Sequence, residues 1–428
     1  MKMKNRFKLM SLLLAMSVAI SFNACSDDDD DNNGDDTDNN DSLVLVTENI
    51  TSDATWTNDK IYQLGGRIAV TNGAKLTIEE GTIIKGEVGT GANASALIVA
   101  RGAQIDAEGT PEKPIIFTSV ADEIDYESIA NGDYSSPNLD PDANGLWGGV
   151  LILGNAPISV SGSTTAQIEG IPSSDTNGQY GGDDPEDSSG IFKYVSIRHG
   201  GANIGEGNEI NGLSLGGVGN KTVIENIEII ANQDDGIEFF GGTVSVKNVV
   251  VWNVGDDGLD TDQGWNGTCE NFVVISPAGH VFELDGIEGD KSDQSVIEEY
   301  GYHTFKNGYV IANTEDASSK DLANLDPETN VHFINVFFNY INEGQTLNLQ
   351  DKEDDNGDVI AVYSMPDDFL AGVTTSFENV VLNVTDVTAY IDGTMDGITA
   401  GTEPAIPGDI DLSVFDGWTW SENSIVAW

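Results

Sequence analysis

A short pattern returns after twenty-two residues in the middle of this chain. Glu225-Asn226-Ile227-Glu228-Ile229 is echoed by Lys247-Asn248-Val249-Val250-Val251, and Asp234-Asp235-Gly236-Ile237 by Asp256-Asp257-Gly258-Leu259. The asparagine comes back at Asn271, Asn307, Asn335 and Asn379, with wider gaps after Asn271 that leave room for inserted loops. Upstream, the runs beginning at Leu76, Leu97, Ile115, Val150 and Tyr194 read as further rungs. Helical periodicity is nearly absent, while short β-branched runs between Gly, Asn and Asp recur throughout. A fixed period of this length, with strands and polar punctuation, specifies a β-solenoid in which each strand pairs in parallel with its counterpart one turn away. Alternate Val and Ile side chains then point inward as one apolar column. An asparagine at the same bend of every turn can stack along the axis and satisfy the backbone there. Ten to thirteen coils at one strand spacing each give a rod on the order of 50–60 Å.

Composition supports a packed β structure and narrows the partners. Hydrophobic residues make up 39%, enough for a long core, and 49 glycines with 12 prolines suit a turn-rich chain. The formal charge of −54 repels phosphate backbones, which excludes nucleic acid as a partner. Two cysteines supply no disulfide framework, and Cys269 on a strand-like run reads as core.

The N-terminus reads as an address. Lys2, Lys4, Arg6 and Lys8 precede an apolar run from Leu9 to Phe22, then Asn23-Ala24-Cys25. A basic region, a short apolar stretch and a small residue describe a secretory signal rather than a spanning helix. Phe22-Asn23-Ala24-Cys25 resembles a bacterial lipobox, with Phe in place of the commoner Leu. That resemblance implies cleavage after Ala24 (residues 1–24 as signal) and lipidation of Cys25, which would tie the protein to a membrane. Residues 25–42 carry nine carboxylates and almost nothing apolar, so they form a self-repelling tether. Acidic residues straight after the cysteine also resemble the export signal of surface lipoproteins in Bacteroidota, which implies an outer-membrane anchor and exposure at the cell surface.

The stretch from Leu97 to Ser119, with Trp147-Gly-Gly-Val-Leu-Ile-Leu-Gly154, resembles the repeat of right-handed parallel β-helix surface proteins. The coils with Asn and Asp-Gly-Ile resemble the pectin-lyase-like superfamily. The fold expected is therefore all-β, a single-stranded right-handed parallel β-helix over 43–385. The stretches 121–145, 173–190 and 312–330 are expected to stand off it as polar loops. Residues 386–428 lose the repeat and hold Trp418, Trp420 and Trp428; they are expected to cap the open end of the solenoid. The fold hosts many activities, so the resemblance does not choose one.

The densest chemistry is acidic. Asp234, Asp235, Asp256, Asp257, Asp260 and Asp262 gather on two turns, with Glu238, Glu283 and Asp285 nearby. The period stacks Asp234 on Asp256 and Asp235 on Asp257, where carboxylates raise each other's pKa or hold a cation. Hard oxygen ligands in turns suit Ca²⁺. Asp-Asp-Gly is also ordinary turn chemistry, Asp capping the bend and Gly supplying positive φ, so both readings stand. The segment resembles in part the polygalacturonase pattern, which would make Asp235, Asp256, Asp257 and His280 (after Gly279) the catalytic set. The later Arg-x-Lys of that pattern is missing, and the chain has no arginine after Arg198. A lyase would need Ca²⁺ and a basic residue, for which Lys193, Arg198 and His199 are the groups near these coils, although a salt bridge to the surrounding carboxylates explains them better. His303 and His332 lack the spacing of a zinc site.

Trp252 and Trp265 flank the acidic run, with Asn253, Asn266 and Tyr302 close in sequence. Aromatic faces beside amides and carboxylates suit a sugar, although tryptophans of this kind also pack as core. The expectation is a non-catalytic surface lipoprotein that binds a glycan or another extracellular ligand, with or without Ca²⁺. By resemblance it would serve a TonB-dependent uptake receptor of the outer membrane. A polysaccharide hydrolase or lyase using the Asp234–Asp262 cluster, and an adhesin, are the alternatives.

Overall fold

A computed structural model describes residues 43–204, 209–288, 302–350, 352–353, 359–365, 367, 375–401 and 409–424. Residues 1–42, with the expected signal, Cys25 and the expected tether, and Trp428 lie outside the described residues. The chain winds as a right-handed parallel β-helix. A sixteen-stranded sheet follows a path of twelve rungs from Leu43–Val46 to Ile398–Ala400, and a nine-stranded sheet runs from Arg67–Val70 to Leu347–Leu349. Twelve rungs fall within the ten to thirteen expected.

The repeat sets the register. Ile227 pairs with Val249 and Val249 with Phe272, while Ile237 pairs with Leu259 and Leu259 with Phe282. Strand alternation sends these side chains inward, where they join one continuous apolar cluster from Trp56 to Ile398. Each fully buried Val, Ile or Phe contributes about 1.5–3 kcal/mol, so the column dominates stability.

The recurring asparagines bend each long strand of the larger sheet into two arms. Asn226, Asn248, Asn271, Asn307, Asn335 and Asn379 all hold φ between 54° and 59°. This left-handed region is disfavoured for most L-residues and tolerated by Asn. Their amides form the stack: Asn248 Nδ2 donates to Asn226 Oδ1 at 2.9 Å, Asn271 to Asn248 at 2.9 Å, Asn335 to Asn307 at 3.0 Å and Asn379 to Asn335 at 2.9 Å.

Three expectations are corrected. First, the expected loops do not stand off the coil: those within 121–145 and 173–190 lie down on it, and 312–330 contains a strand of the nine-stranded sheet, Ala323–Leu325. Asp125 caps the short helix Tyr126–Ala130, and Ile124, Ile129 and Tyr134 pack on Ile83 and Ile116. Residues 156–182 form a small hairpin (Ala166–Gln167 with Gln179–Tyr180) whose Ile158, Ile168 and Tyr180 cover Leu151, Leu153 and Phe240. The reason is apolar outward residues beneath them, which polar loop composition had hidden. Second, the β-helix does not end at 385: Ile398–Ala400 pairs in parallel with Val380–Leu382 as a further rung. Third, Trp418 and Trp420 do not cap the end. Residues 409–424 run back along the side of the solenoid, Asp409 meeting Asn335, Asp411 meeting Asn271 and Ser421 meeting Glu228. The tryptophans are buried there because the second arm of the larger sheet has an apolar exterior, including Val250, Trp252, Val273 and Tyr309.

Candidate functional site

The nine-stranded sheet has a different exterior. Leu213–Gly216, Ile237–Phe240, Leu259–Asp262, Phe282–Leu284 and Ala323–Leu325 are successive strands, and their second residues align as Ser214, Glu238, Asp260, Glu283 and Asn324. Two positions before each strand the turn presents Asn211, Asp235, Asp257, His280 and Asp321. These aspartates hold the turns together. Asp235 Oδ1 accepts the backbone N–H of Asp257 at 2.9 Å, Asp257 Oδ1 accepts that of His280, and Asp321 Oδ1 accepts that of Thr346 at 2.7 Å. Turn chemistry is therefore one real part of the Asp-Asp-Gly signal.

It does not account for the rest. Ligand atoms of Asp234, Asp235 and Asp256 lie within 4.8 Å of one another, as do those of Asp235, Glu238 and Asp260, and those of Asp257, His280 and Glu283. Burial, reinforced by Glu169, Glu209 and Asp256, lifts Asp234 to about 7. Burial, then repulsion from neighbouring carboxylates, pushes Asp235, Glu238 and Asp260 well above the ordinary range. Glu283 rises to about 9 through burial and its contact with Asp257. Asp257 goes the other way: burial pushes it up, but its contacts with the ring and backbone N–H of His280 and with Glu283 outweigh this and hold it low. Such a row stays protonated or takes a cation at neutral pH. The two all-carboxylate triplets supply hard oxygen ligands from turns and the strands that follow them and fit a Ca²⁺-type ion.

Asp262 is not brought to these triplets. It lies toward Asp285 and Glu288 at the far end of its strand, and burial with those neighbours raises it to about 8. Trp265 is 2% exposed, stacks on Phe239 at 4.0 Å and donates from Nε1 to Val244 O, so it offers no face to a ligand. Trp252 belongs to the opposite side, edge-on to Trp420. Its remaining edge and Asn253 line a separate cleft of about 640 Å³ with Asp140, Asp142 and Asp316. Asn266 is half-buried and ties its backbone N–H to Gly242 O, while Tyr302 is exposed and stacks on His332 at 3.8 Å. The five residues expected to form one sugar face are thus dispersed, because the turn after Leu259–Asp262 folds Trp265 inward and the bend at Asn248 carries Trp252 to another sheet arm. Arg198 and His199 are buried beneath Trp420, Arg198 against Glu228, and Lys193 pairs with Glu225 on the larger sheet.

Three residues that sequence reasoning passed over do reach the site. Asn211 Nδ2 donates to Glu238 and, at 3.2 Å, to Glu169 Oε1, which the hairpin loop brings in. Exposed Lys320 donates its backbone N–H to Gly279 O, and its charge bears on Asp256. Asn211-Gly-Leu-Ser-Leu repeats the form of Asp235-Gly-Ile-Glu-Phe and was legible as an earlier turn; Glu169 lies on an irregular insertion and carried no periodic signal, and Lys320, at the turn position of Asp234, Asp256 and Gly279, was hidden because 312–330 was read as a loop.

A right-handed parallel β-helix of this winding belongs to a recognised class. Residues 48–422 match the pectate-lyase-like β-helix domain, and the chain is a member of that family. No curated protein matches it.

Proposed function

We propose that the acidic face of the nine-stranded sheet binds Ca²⁺ and, through it, a hydroxyl-rich glycan without cleaving it. The observation that carries this is the pair of all-carboxylate triplets sharing Asp235. Ca²⁺ would let these buried groups ionise together, and its free coordination positions suit sugar hydroxyls. The composition of residues 1–42 supports the accompanying reading of a lipoprotein anchored through Cys25 to the outer membrane and exposed at the surface, and service to an uptake receptor is part of the same proposal. A second reading, a lyase, is favoured by one observation: the charge of Lys320 bears on Asp256 at the acidic face, as that of a base beside a bound cation would.

The test is incubation with neutral and acidic polysaccharides in Ca²⁺ or chelator, followed by assays for retained glycan and for new reducing or unsaturated ends. We expect retention that needs Ca²⁺ and drops at least ten-fold in Asp234→Asn, with no new ends. Unsaturated ends lost in Lys320→Ala would replace binding by the lyase reading, and Ca²⁺-independent retention would remove the metal from it.

A further inference from the structure

We propose that Asp257, His280 and Glu283 form a second metal site, chemically distinct from the Ca²⁺ positions and selective for a first-row divalent ion such as Zn²⁺ or Mn²⁺. The three residues come from two successive turns and the strand that follows, and their ligand atoms converge within 4.8 Å. His280 is only 6% exposed, yet its Nδ1 makes no hydrogen bond. That nitrogen lies 3.1 Å from Asp257 Oδ1, without the alignment of a hydrogen bond, and 3.8 Å from Glu283 Oε1. Metal bonds of about 2.1 Å place neighbouring ligand atoms about 3.0 Å apart in an octahedron and about 3.4 Å in a tetrahedron, so the triad needs little movement to close on an ion.

The donor set decides the kind of ion. Ca²⁺ takes oxygen ligands, whereas a neutral imidazole favours Zn²⁺ and its first-row neighbours, and two carboxylates supply the compensating charge. The ligands are also held in place. The backbone N–H of His280 is anchored on Asp257, and Asn324 Nδ2 donates to Glu283 Oε1 at 3.4 Å, the outer support that orients a metal-binding carboxylate. Sequence spacing gave no sign of this site because its only histidine has no second histidine or cysteine nearby; the triad arises from the 23-residue step that sets His280 over Asp257. The inference does not depend on glycan binding.

Equilibrium dialysis of the purified protein against Zn²⁺ in a large excess of Ca²⁺, with elemental analysis, tests it. One retained zinc per chain is expected, reduced at least ten-fold in His280→Gln and in Glu283→Gln at the same free Zn²⁺, with circular dichroism confirming the fold of each variant. X-ray absorption at the zinc edge of the wild-type protein should show the outer-shell scattering of one imidazole, a readout that survives if a variant fails to fold. Displacement of the zinc by Ca²⁺, an oxygen-only zinc environment, or full retention by His280→Gln would each overturn the proposal. Loss of glycan retention with zinc still bound would count against the glycan reading alone.

Discussion

Two outward faces of the same winding carry opposite side chains over the turns that follow Asn226. On the second arm of the larger sheet, one column runs Val250, Val273, Tyr309 and Phe337, and its neighbour runs Ile230, Trp252, Ile275 and Ile311. On the nine-stranded sheet the matching positions are Glu238, Asp260 and Glu283. Both have inward partners of Val, Ile, Leu and Phe in one core. The inward set makes the solenoid and is nearly interchangeable between turns; the outward set decides what must lie on top. An apolar exterior requires the chain to supply its own cover, here residues 409–424 and the loop around Tyr126–Ala130. An acidic exterior with little cationic compensation instead requires protons or cations from outside.

The largest expected effect breaks the covered face. Trp418 is fully buried, edge-on to Tyr194 at 5.4 Å, with Nε1 donating to Val414 O. Trp418→Ala should lower stability by about 3–5 kcal/mol in denaturant titration, because a buried indole is deleted where the surroundings cannot collapse. A loss below about 1 kcal/mol would mean that the apolar arm tolerates exposure and that the two faces differ less than their composition implies.

The acidic face should answer to pH instead. Asp234 titrates near 7 in the fold against an ordinary 3.8, and Glu283 near 9 against 4.5. The folded chain therefore binds protons that the unfolded chain has released. This contribution is fully present below about pH 4 and is lost as pH rises through 7 and then 9. In chelator, thermal stability should fall steadily from pH 5 to pH 9. Ca²⁺ at a hundred times its Kd should restore about 2.7 kcal/mol at the alkaline end and little at the acid end. Asp234→Asn should flatten the part of the fall below pH 7. A metal-free protein with level stability across this range would show that the carboxylates are relieved by some group other than a proton or a cation.

The contrast between the faces also explains what was legible in the sequence. The fold was, since the echo of Glu225–Ile229 in Lys247–Val251 fixes the winding, and the asparagines mark its bends. The carboxylate stack was legible for the same reason: Asp235 and Asp257 share a turn position, and His280 follows at the next. The sugar face built from Trp252 and Trp265 failed because nearness along the chain was read as nearness on one surface. Trp265 follows its strand and folds inward onto Phe239, whereas Trp252 ends a strand on the other side of the bend. Burial of Trp418 and Trp420 was legible from their size, but their destination was not. It depends on which outward column is apolar over several turns, and only the register between distant segments reveals that.

The smallest expected effect lies in the bend that separates the two arms, and so in what allows one strand to serve two faces. Asn248 holds φ at 56°, donates to Asn226 and accepts from Asn271. Asn248→Ala removes both amide contacts and places a β-carbon in the left-handed region, at about 1–2 kcal/mol for the backbone alone. Asn248→Gly removes the same contacts but tolerates that φ, so the difference between the two variants isolates backbone strain from the amide stack. If the stack acts one turn at a time, Asn248→Gly should lose no more than about 1–2 kcal/mol for its two hydrogen bonds, with Ca²⁺ binding on the acidic face unaffected. If Gly and Ala are equally damaging and Ca²⁺ binding weakens as well, the amides carry register from turn to turn, and the alignment of carboxylates on the far sheet depends on an asparagine that touches none of them.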